Sequence, residues 1–316
     1  MHLSGFRRDE PLERVLGACQ GRASGPLVIA IAGIHGNEPA GVVALRRVLR
    51  ELVPHAQTLR GRFVALTGNR AGLARGVRGV DHDLNRYWTR ASIAEARSKA
   101  PEARDTEQKE LVELAEALER EFARAPGPVT LLDLHSTSGP TPPFTLHADE
   151  LRAVELARAL DVAALFGLEM LLGSTLVDWT HKLGHTGLVI EGGQNEAEDT
   201  ADHHESALWI ALAHAGVLDA NALPDLAAHR ARLTRAAGPT PRALTICHRH
   251  VIPEGERFEM LPGWSGFDPV REGDMLARGG PTLEQELRAP YDATLIMPRY
   301  QGAGSDGFFL ARANPR

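Results

Sequence analysis

Short apolar runs that alternate with helical patterns restrict the fold of this 316-residue chain more than any other feature. The runs are PLVIAIAG (residues 26–33), RFVALTGN (62–69), VTLLDLH (129–135) and GLVIEGG (187–193). Apolar residues on both faces are typical of inner strands that helices cover on both sides of a sheet.

Helical spacing appears between these runs, at residues 40–52, 105–124, 150–160 and 202–215, with Asp105 as the N-cap of the second helix. Residues 68–79, which contain four glycines, are predicted to form a long polar loop. Strands that alternate with helices predict an α/β fold with a largely parallel sheet.

The composition of the sequence changes after about residue 237, where glycine and proline become frequent. Short strand-like runs follow, RALTICHRHVI, ATLIMP and GFFLAR. We therefore predict two domains, a catalytic domain at residues 1–228 and a small β-rich C-terminal domain at residues 229–316. The boundary falls in the polar stretch 223–241.

Charge and cysteine content exclude several classes of protein. The formal net charge of -6 argues against a nucleic-acid partner, because such proteins carry a basic surplus. Two cysteines, Cys19 and Cys247, are too few for a disulfide framework. The N-terminus has no apolar core of a signal peptide, and no stretch approaches 18 apolar residues. We expect a soluble cytoplasmic protein without a membrane partner.

Three candidate metal ligands follow two of the predicted strands. His35 and Glu38 come after the first run, and His135 ends the third. Ligands bind beyond the carboxyl ends of strands in an open α/β sheet. Two imidazoles and one carboxylate are a typical catalytic zinc set that leaves a position for water. Asp133 is a candidate to orient the ring of His135 from the side that faces away from the metal.

A fourth acidic residue, Glu191, ends the run GLVI and precedes two glycines, so it should also stand at the mouth of the sheet. A carboxylate beside a metal-bound water can act as general base and later protonate a leaving amine. The alternative is an acid that caps a helix or faces solvent.

The segment DHDLNR contains Arg86, and Arg78 lies eight residues before it. Together they resemble a clamp for anions. Arginine binds carboxylates through a bidentate fork, and an adjacent amide can add a hydrogen bond. Arg78, Asn85 and Arg86 are therefore candidate substrate ligands. The alternative is that these polar side chains face water.

Two further histidine pairs are predicted to be structural or exposed. In Cys247-His248-Arg249-His250, strand alternation puts the histidines on one face, so we predict an ordinary strand. His203 and His204 are predicted to be solvated at the start of a helix.

The motifs GIHGNEPAG, GNRAG, DHDLNR, DLHS and VIEGG, in this order between about residues 25 and 200, resemble the succinylglutamate desuccinylase and aspartoacylase family. That family is a branch of the zinc carboxypeptidase superfamily. The resemblance implies a zinc-carboxypeptidase-like, mixed and mostly parallel sheet with a β-rich C-terminal domain. It also implies amide hydrolysis with one zinc ion per chain. The implied roles are metal ligands for His35, Glu38 and His135, catalysis for Glu191, and substrate binding for Arg78, Asn85 and Arg86.

Two departures from the family's pattern concern the substrate. A further arginine of aspartoacylases is replaced by His181, beside Lys182, and a C-terminal tyrosine is replaced by Phe308. Both residues help to fix an acidic acyl substrate in the family. The resemblance therefore implies a small anionic substrate, an N-acyl amino acid or related carboxylate-bearing amide, and leaves its acyl group open.

Other interpretations also remain open at this stage. The same metal and clamp would serve a carboxypeptidase that acts on a peptide C-terminus, and a non-catalytic zinc-binding scaffold would need no Glu191. A His/Glu site can also take manganese, cobalt or nickel. Homo-oligomer formation is possible.

Overall fold

The computed structural model describes residues 4–148, 150–168, 171, 173–195, 197–219, 225–300 and 306–314. Its strands, in chain order, are β1 (Val15–Gln20), β2 (Ala23–Ala32), β3 (Arg60–Thr67), β4 (Val129–Thr137), β5 (Phe144–Leu146), β6 (Ala163–Phe166), β7 (Thr186–Gln194), β8 (Ala243–Val251), β9 (Arg257–Met260), β10 (Pro269–Val270), β11 (Met275–Gly280), β12 (Gln285–Arg288), β13 (Ala293–Ile296) and β14 (Asp306–Ala313).

The α-helices are α1 (Ala40–Leu52), α2 (Arg70–Arg75), α3 (Arg90–Ser98), α4 (Thr106–Arg124), α5 (Leu151–Leu160), α6 (Leu176–Lys182), α7 (Glu198–His214) and α8 (Leu226–Ala237). Short 3-10 helices lie at Val53–Thr58, Leu84–Arg86 and Pro101–Ala103. No helix in the described ranges has both the length and the apolarity that crossing a membrane requires.

One large mixed sheet organises the described part of the chain, with strand order β1-β3-β2-β4-β7-β5-β6-β8-β14-β13-β10. Strands β3, β2, β4 and β7 are parallel neighbours, whereas β5 runs antiparallel to β7. Helices α1, α5, α7 and α8 pack on one face, and α3, α4 and α6 pack on the other. Helices cover the central strands on both faces, these strands are apolar along most of their length, and the predicted α/β class is confirmed.

The C-terminal part is rich in strands, as predicted. Strands β8, β14, β13 and β10 extend the large sheet, and β12, β11 and β9 form a separate small sheet. The predicted boundary between residues 228 and 229 falls inside α8, and β8 pairs in parallel with β6 across it. The division into two domains stays a prediction.

Helix α2 lies where the sequence predicted only a polar loop. The side chain of Asn69 accepts a hydrogen bond from the Gly72 amide and begins the helix, and Gly76, with φ of 68°, ends it. The helix is six residues long and contains a glycine, which is why its helical pattern was too short to recognise. Helix α2 lies directly against the turn after β2. A Cβ at Gly36 in that turn would lie only 1.9 Å from the Gly72 backbone.

Candidate active site

The predicted metal ligands and Glu191 meet at the carboxyl ends of the parallel strands. His35 and Glu38 lie in the turn after β2, and a hydrogen bond from the Glu38 amide to the His35 carbonyl closes that turn. His135 lies near the end of β4, directly across the strand pair from Glu191 on β7. The parallel register therefore brings residues that are far apart in sequence to one edge of the sheet.

Three side chains converge on one point. Glu38 Oε1 lies 3.0 Å from His35 Nδ1, and Glu38 Oε2 lies 3.0 Å from His135 Nδ1. Each of the three offers a ligand atom, and these atoms all lie within 4.8 Å of one another. All three side chains are buried. This donor set matches the nitrogen and oxygen ligands of a divalent transition-metal site.

A second carboxylate stands behind each imidazole. His35 Nε2 lies 3.1 Å from Asp83 Oδ1, and His135 Nε2 lies 2.9 Å from Asp133 Oδ2. Such outer carboxylates fix ring orientation and raise the basicity of a ligating nitrogen. Asp133 was a candidate for this position from the sequence, whereas Asp83 was missed. Its place in DHDLNR, beside two candidate substrate ligands, was the signal that could have pointed to it.

The electrostatics of this cluster favour positive charge. Burial alone would raise the pKa of Glu38, but His35 and His135 outweigh burial and hold it below its ordinary value. Burial would also lower the pKa of His135, yet Asp133 and Glu38 raise it well above the ordinary histidine value. A site whose carboxylates stabilise a protonated His135 would equally stabilise a divalent cation in place of that proton. The residues present therefore fit a metal ion.

Glu191 differs from the other acids of the site. It is buried, and its Oε2 atom has no hydrogen-bond partner among the described residues. Burial is the main cause that raises the pKa of Glu191 to about 8, and the nearby Glu38 adds to the effect. A carboxyl group poised near neutral pH is suited to accept and release a proton.

The three predicted clamp residues line the same cavity. Arg78 is held by Asp83, which accepts hydrogen bonds from its Nε (3.1 Å) and Nη2 (2.9 Å) atoms. Asn85 is buried, and its Oδ1 atom accepts a hydrogen bond from the Leu176 amide. Arg86 is half-buried, and its nearest acid is Asp306, with Nη2 3.5 Å from Oδ2. The structure places these three residues beside the metal ligands, and their roles remain predictions.

The C-terminal strands also contribute to the cavity, which the sequence did not reveal. Met297, Pro298, Arg299, Asp306 and Phe309 all lie in its wall. The position of Asp306 is fixed by Arg249 Nε, which donates a hydrogen bond of 2.7 Å to its Oδ1 atom. Arg249 lies on β8, in the segment that the sequence predicted to be an ordinary strand. Its hydrogen bond to Asp306 connects β8 to the site.

The two positions that depart from the family's pattern lie outside the cavity lining that the structure describes. Phe308 faces away from the site and stacks on His250, with ring centroids 5.0 Å apart. Lys182, next to His181, donates hydrogen bonds to Asp178 and to the Gly173 carbonyl. Neither position supplies a charge or hydroxyl to the cavity.

The prediction that His203 and His204 are solvated is wrong for His204, whereas His203 is half-buried. His204 is buried, and a Cβ added to Gly192 would lie 2.7 Å from its Nε2 atom. His203 Nδ1 lies 2.7 Å from the Gly192 carbonyl oxygen. The helix start was read as exposed because it is polar, but it packs against the glycines that follow Glu191.

Both the sequence and the fold match known proteins. The profile of the succinylglutamate desuccinylase/aspartoacylase catalytic domain matches residues 24–236. The succinylglutamate desuccinylase of Pseudomonas paraeruginosa is 37% identical over 67 residues, 21% of this chain and 20% of that protein. The enzyme of Burkholderia orbicola is 36% identical over 81 residues, 25% of this chain and 24% of that protein. The matched segments thus span a quarter or less of these relatives.

Solved structures share the fold over most of the chain. A succinylglutamate desuccinylase/aspartoacylase from Rhodobacter sphaeroides superposes with a TM-score of 0.69 at 19% identity, covering 95% of this chain and 88% of that one. The product-bound ectoine utilization protein EutE (DoeB) from Ruegeria pomeroyi gives 0.65 at 21%, covering 93% and 86%. An aspartoacylase family protein from Mesorhizobium loti gives 0.63 at 19%, covering 100% and 99%.

Proposed function

This chain belongs to the succinylglutamate desuccinylase/aspartoacylase family, and we propose that it is a zinc-dependent hydrolase of small amides that carry a carboxylate. The observation that carries the proposal is the convergence of His35, Glu38 and His135 with the unpartnered carboxyl of Glu191 in one cavity. The substrate class that fits this arrangement is an N-acyl amino acid or a related amide.

In this proposal His35, Glu38 and His135 hold one zinc ion per chain, and Asp83 and Asp133 fix the two imidazole rings. Zinc bound there would polarise the amide carbonyl and make water a stronger acid at neutral pH. The remaining chemistry falls to the side chains around it.

Glu191 is the proton carrier of the proposed reaction. Its carboxylate accepts a proton from the attacking water, and the resulting carboxyl group delivers that proton to the nitrogen of the breaking amide bond. Burial suits both steps, because it raises the pKa of Glu191 to about 8 and so makes the carboxylate a better base than an exposed glutamate.

Arg86 is the side chain best placed to hold the substrate carboxylate. Arg78 is already bound through two nitrogens to Asp83, whereas Arg86 meets Asp306 only at 3.5 Å and Asp83 at 4.0 Å. Asn85 uses its oxygen on the Leu176 amide. Its Nδ2 atom, 3.5 Å from His135 Nε2, faces the metal ligands and can donate to a substrate oxygen.

We propose a small amide rather than a peptide because the C-terminal part borders the cavity, where residues 297–299 form one of its walls. A carboxypeptidase needs room for the peptide that precedes the scissile bond. A metal-binding scaffold would not need a buried, unpartnered acid such as Glu191, whose burial costs free energy.

The test is a hydrolysis assay with the zinc-loaded protein on N-acyl amino acids and on dipeptides, with and without a chelator. The proposal expects chelator-sensitive release of amino acid from at least one N-acyl compound and faster turnover than with any dipeptide. Preference for dipeptides would favour the carboxypeptidase. No turnover of either class by protein with full zinc occupancy would refute a hydrolytic function.

A further inference from the structure

The cavity has two chemically different sides. Its polar side consists of Arg78, Arg86 and Arg299 with the acids Asp83 and Asp306. Its other side, the apolar wall, is formed by Leu146, Leu168, Val177, Val189, Met297 and Phe309.

The apolar wall begins beside the proposed proton carrier. Val189 precedes Glu191 by two residues on β7, so the two side chains share one face of the sheet. Leu146 on β5 is the strand partner of Val189 and continues the same face. A group bound next to the scissile amide on this side therefore meets hydrocarbon.

The arginines among the described residues of the cavity all belong to the polar side. Arg78 and Arg86 pair with Asp83 and Asp306. Arg299 interacts electrostatically with Asp306 and Arg78. Its guanidinium carbon lies 5.0 Å from the centre of the Phe258 ring. These interactions group the three arginines around Asp83 and Asp306.

His147, the residue after Leu146, is the histidine of the described lining that lies outside the metal cluster. His147 is buried, and its Nδ1 atom lies 2.8 Å from the Ala148 carbonyl oxygen. Its ring meets Phe166 edge to face at 4.8 Å. A carboxylate placed against Val189 and Leu146 would lose its hydration to hydrocarbon, which is unfavourable.

Building on the proposed function, we propose that the substrate carries one carboxylate, bound on the polar side, and an aliphatic or aromatic group that packs on the apolar wall. A dicarboxylic amide such as an N-acyl aspartate is then a poor substrate.

Two isosteric pairs of compounds separate these classes. N-Acetyl-L-leucine and N-acetyl-L-aspartate differ in the amino acid side chain, and N-isovalerylglycine and N-malonylglycine differ in the acyl group.

Binding is measured by calorimetry with the zinc-loaded Glu191→Gln variant, so that the result does not depend on turnover. We expect the apolar member of at least one pair to bind about tenfold to a hundredfold more tightly, since one or two buried methyl groups are worth this much. The pair that shows the preference identifies which half of the amide meets the wall. Equal or tighter binding of the dicarboxylate in both pairs would overturn the proposal.

A charge placed in the wall gives an independent test. Met297 is only partly buried and packs on the surface of the wall's core, so Met297→Lys adds a flexible cation without removing a core side chain. Met297→Gln, uncharged and of similar length, is the matched control. We expect the lysine variant, relative to the glutamine variant, to shift the ratio of affinities toward the dicarboxylate by about tenfold or more.

The outcomes keep the two proposals apart. An unchanged ratio in Met297→Lys, with melting temperatures that match the control, would show that the wall does not contact the substrate. Hydrolysis of the dicarboxylates alone by the wild-type enzyme would refute the apolar specificity while leaving the hydrolase intact. Binding selectivity for the apolar compounds without any turnover would refute the hydrolase while leaving the apolar wall as the binding determinant.

Discussion

Glu191→Gln removes the proposed proton carrier while it preserves the shape of the cavity. Glutamine has nearly the same volume as glutamate, and position 191 is only 6% exposed, so the new amide stays where the carboxyl group was. It cannot accept a proton from water or return one to the amide nitrogen. The variant therefore tests the chemistry of Glu191 separately from its packing.

The expected loss follows from the two proton transfers assigned to this one side chain. General acid–base catalysis by a positioned group contributes about 10²–10⁴-fold, and at ~1.4 kcal/mol per decade this corresponds to about 3–5 kcal/mol of the activation barrier. Because Glu191 serves both steps and is shielded from competing water, we expect a loss in kcat near the upper end of that range, about 10⁴-fold.

The assay combines single-turnover hydrolysis, metal content and thermal unfolding on the same preparation. Zinc content should equal that of the wild type, because Glu191 is not one of the three ligands. The melting temperature should stay close to the wild-type value, since glutamine has nearly the same volume as the buried glutamate it replaces. A variant with normal zinc and a kcat within about tenfold of wild type would refute the assignment of Glu191 as proton carrier.

Three further variants test other parts of the site and its support. His135→Ala should lose zinc. If native mass spectrometry finds full zinc occupancy in this variant, His135 is not one of the ligands. Arg86→Ala should raise KM for a carboxylate-bearing amide by about tenfold or more, while a matched neutral amide should be unaffected; equal effects on both would argue against a carboxylate clamp. Glu110→Ala breaks a buried ion pair in which Arg14 also contacts the Thr67 and Gly68 carbonyls, and chemical denaturation should show a loss of about 3–5 kcal/mol; a change below 1 kcal/mol would mean that water replaces the lost carboxylate.

The central strands could be predicted because burial on both faces leaves a continuous apolar run. For β2 the prediction of residues 26–33 matches most of Ala23–Ala32, and α1 has the predicted bounds, Ala40–Leu52. Strands β5 and β6 escaped prediction because three or four residues carry too little periodicity. The same limit applies to α2.

Two of the metal ligands and Glu191 were predictable because they end or follow strands directly. His35, His135 and Glu191 stand at strand ends, so a rule about sheet edges was enough to bring them together. Asp306 begins β14 and Met297 directly follows β13, and pairing between distant segments sets the position of these strands. His204 was misjudged because helical periodicity does not reveal that a glycine pair opposite it leaves room for a buried ring.

The most direct test of the account is the position of the metal in crystals of the zinc-loaded protein, measured by anomalous diffraction on both sides of the zinc absorption edge. The account predicts one zinc peak per chain, within bonding distance of His35, Glu38 and His135 and within reach of Glu191. A peak elsewhere, or none between these three side chains in protein that contains zinc, would contradict it.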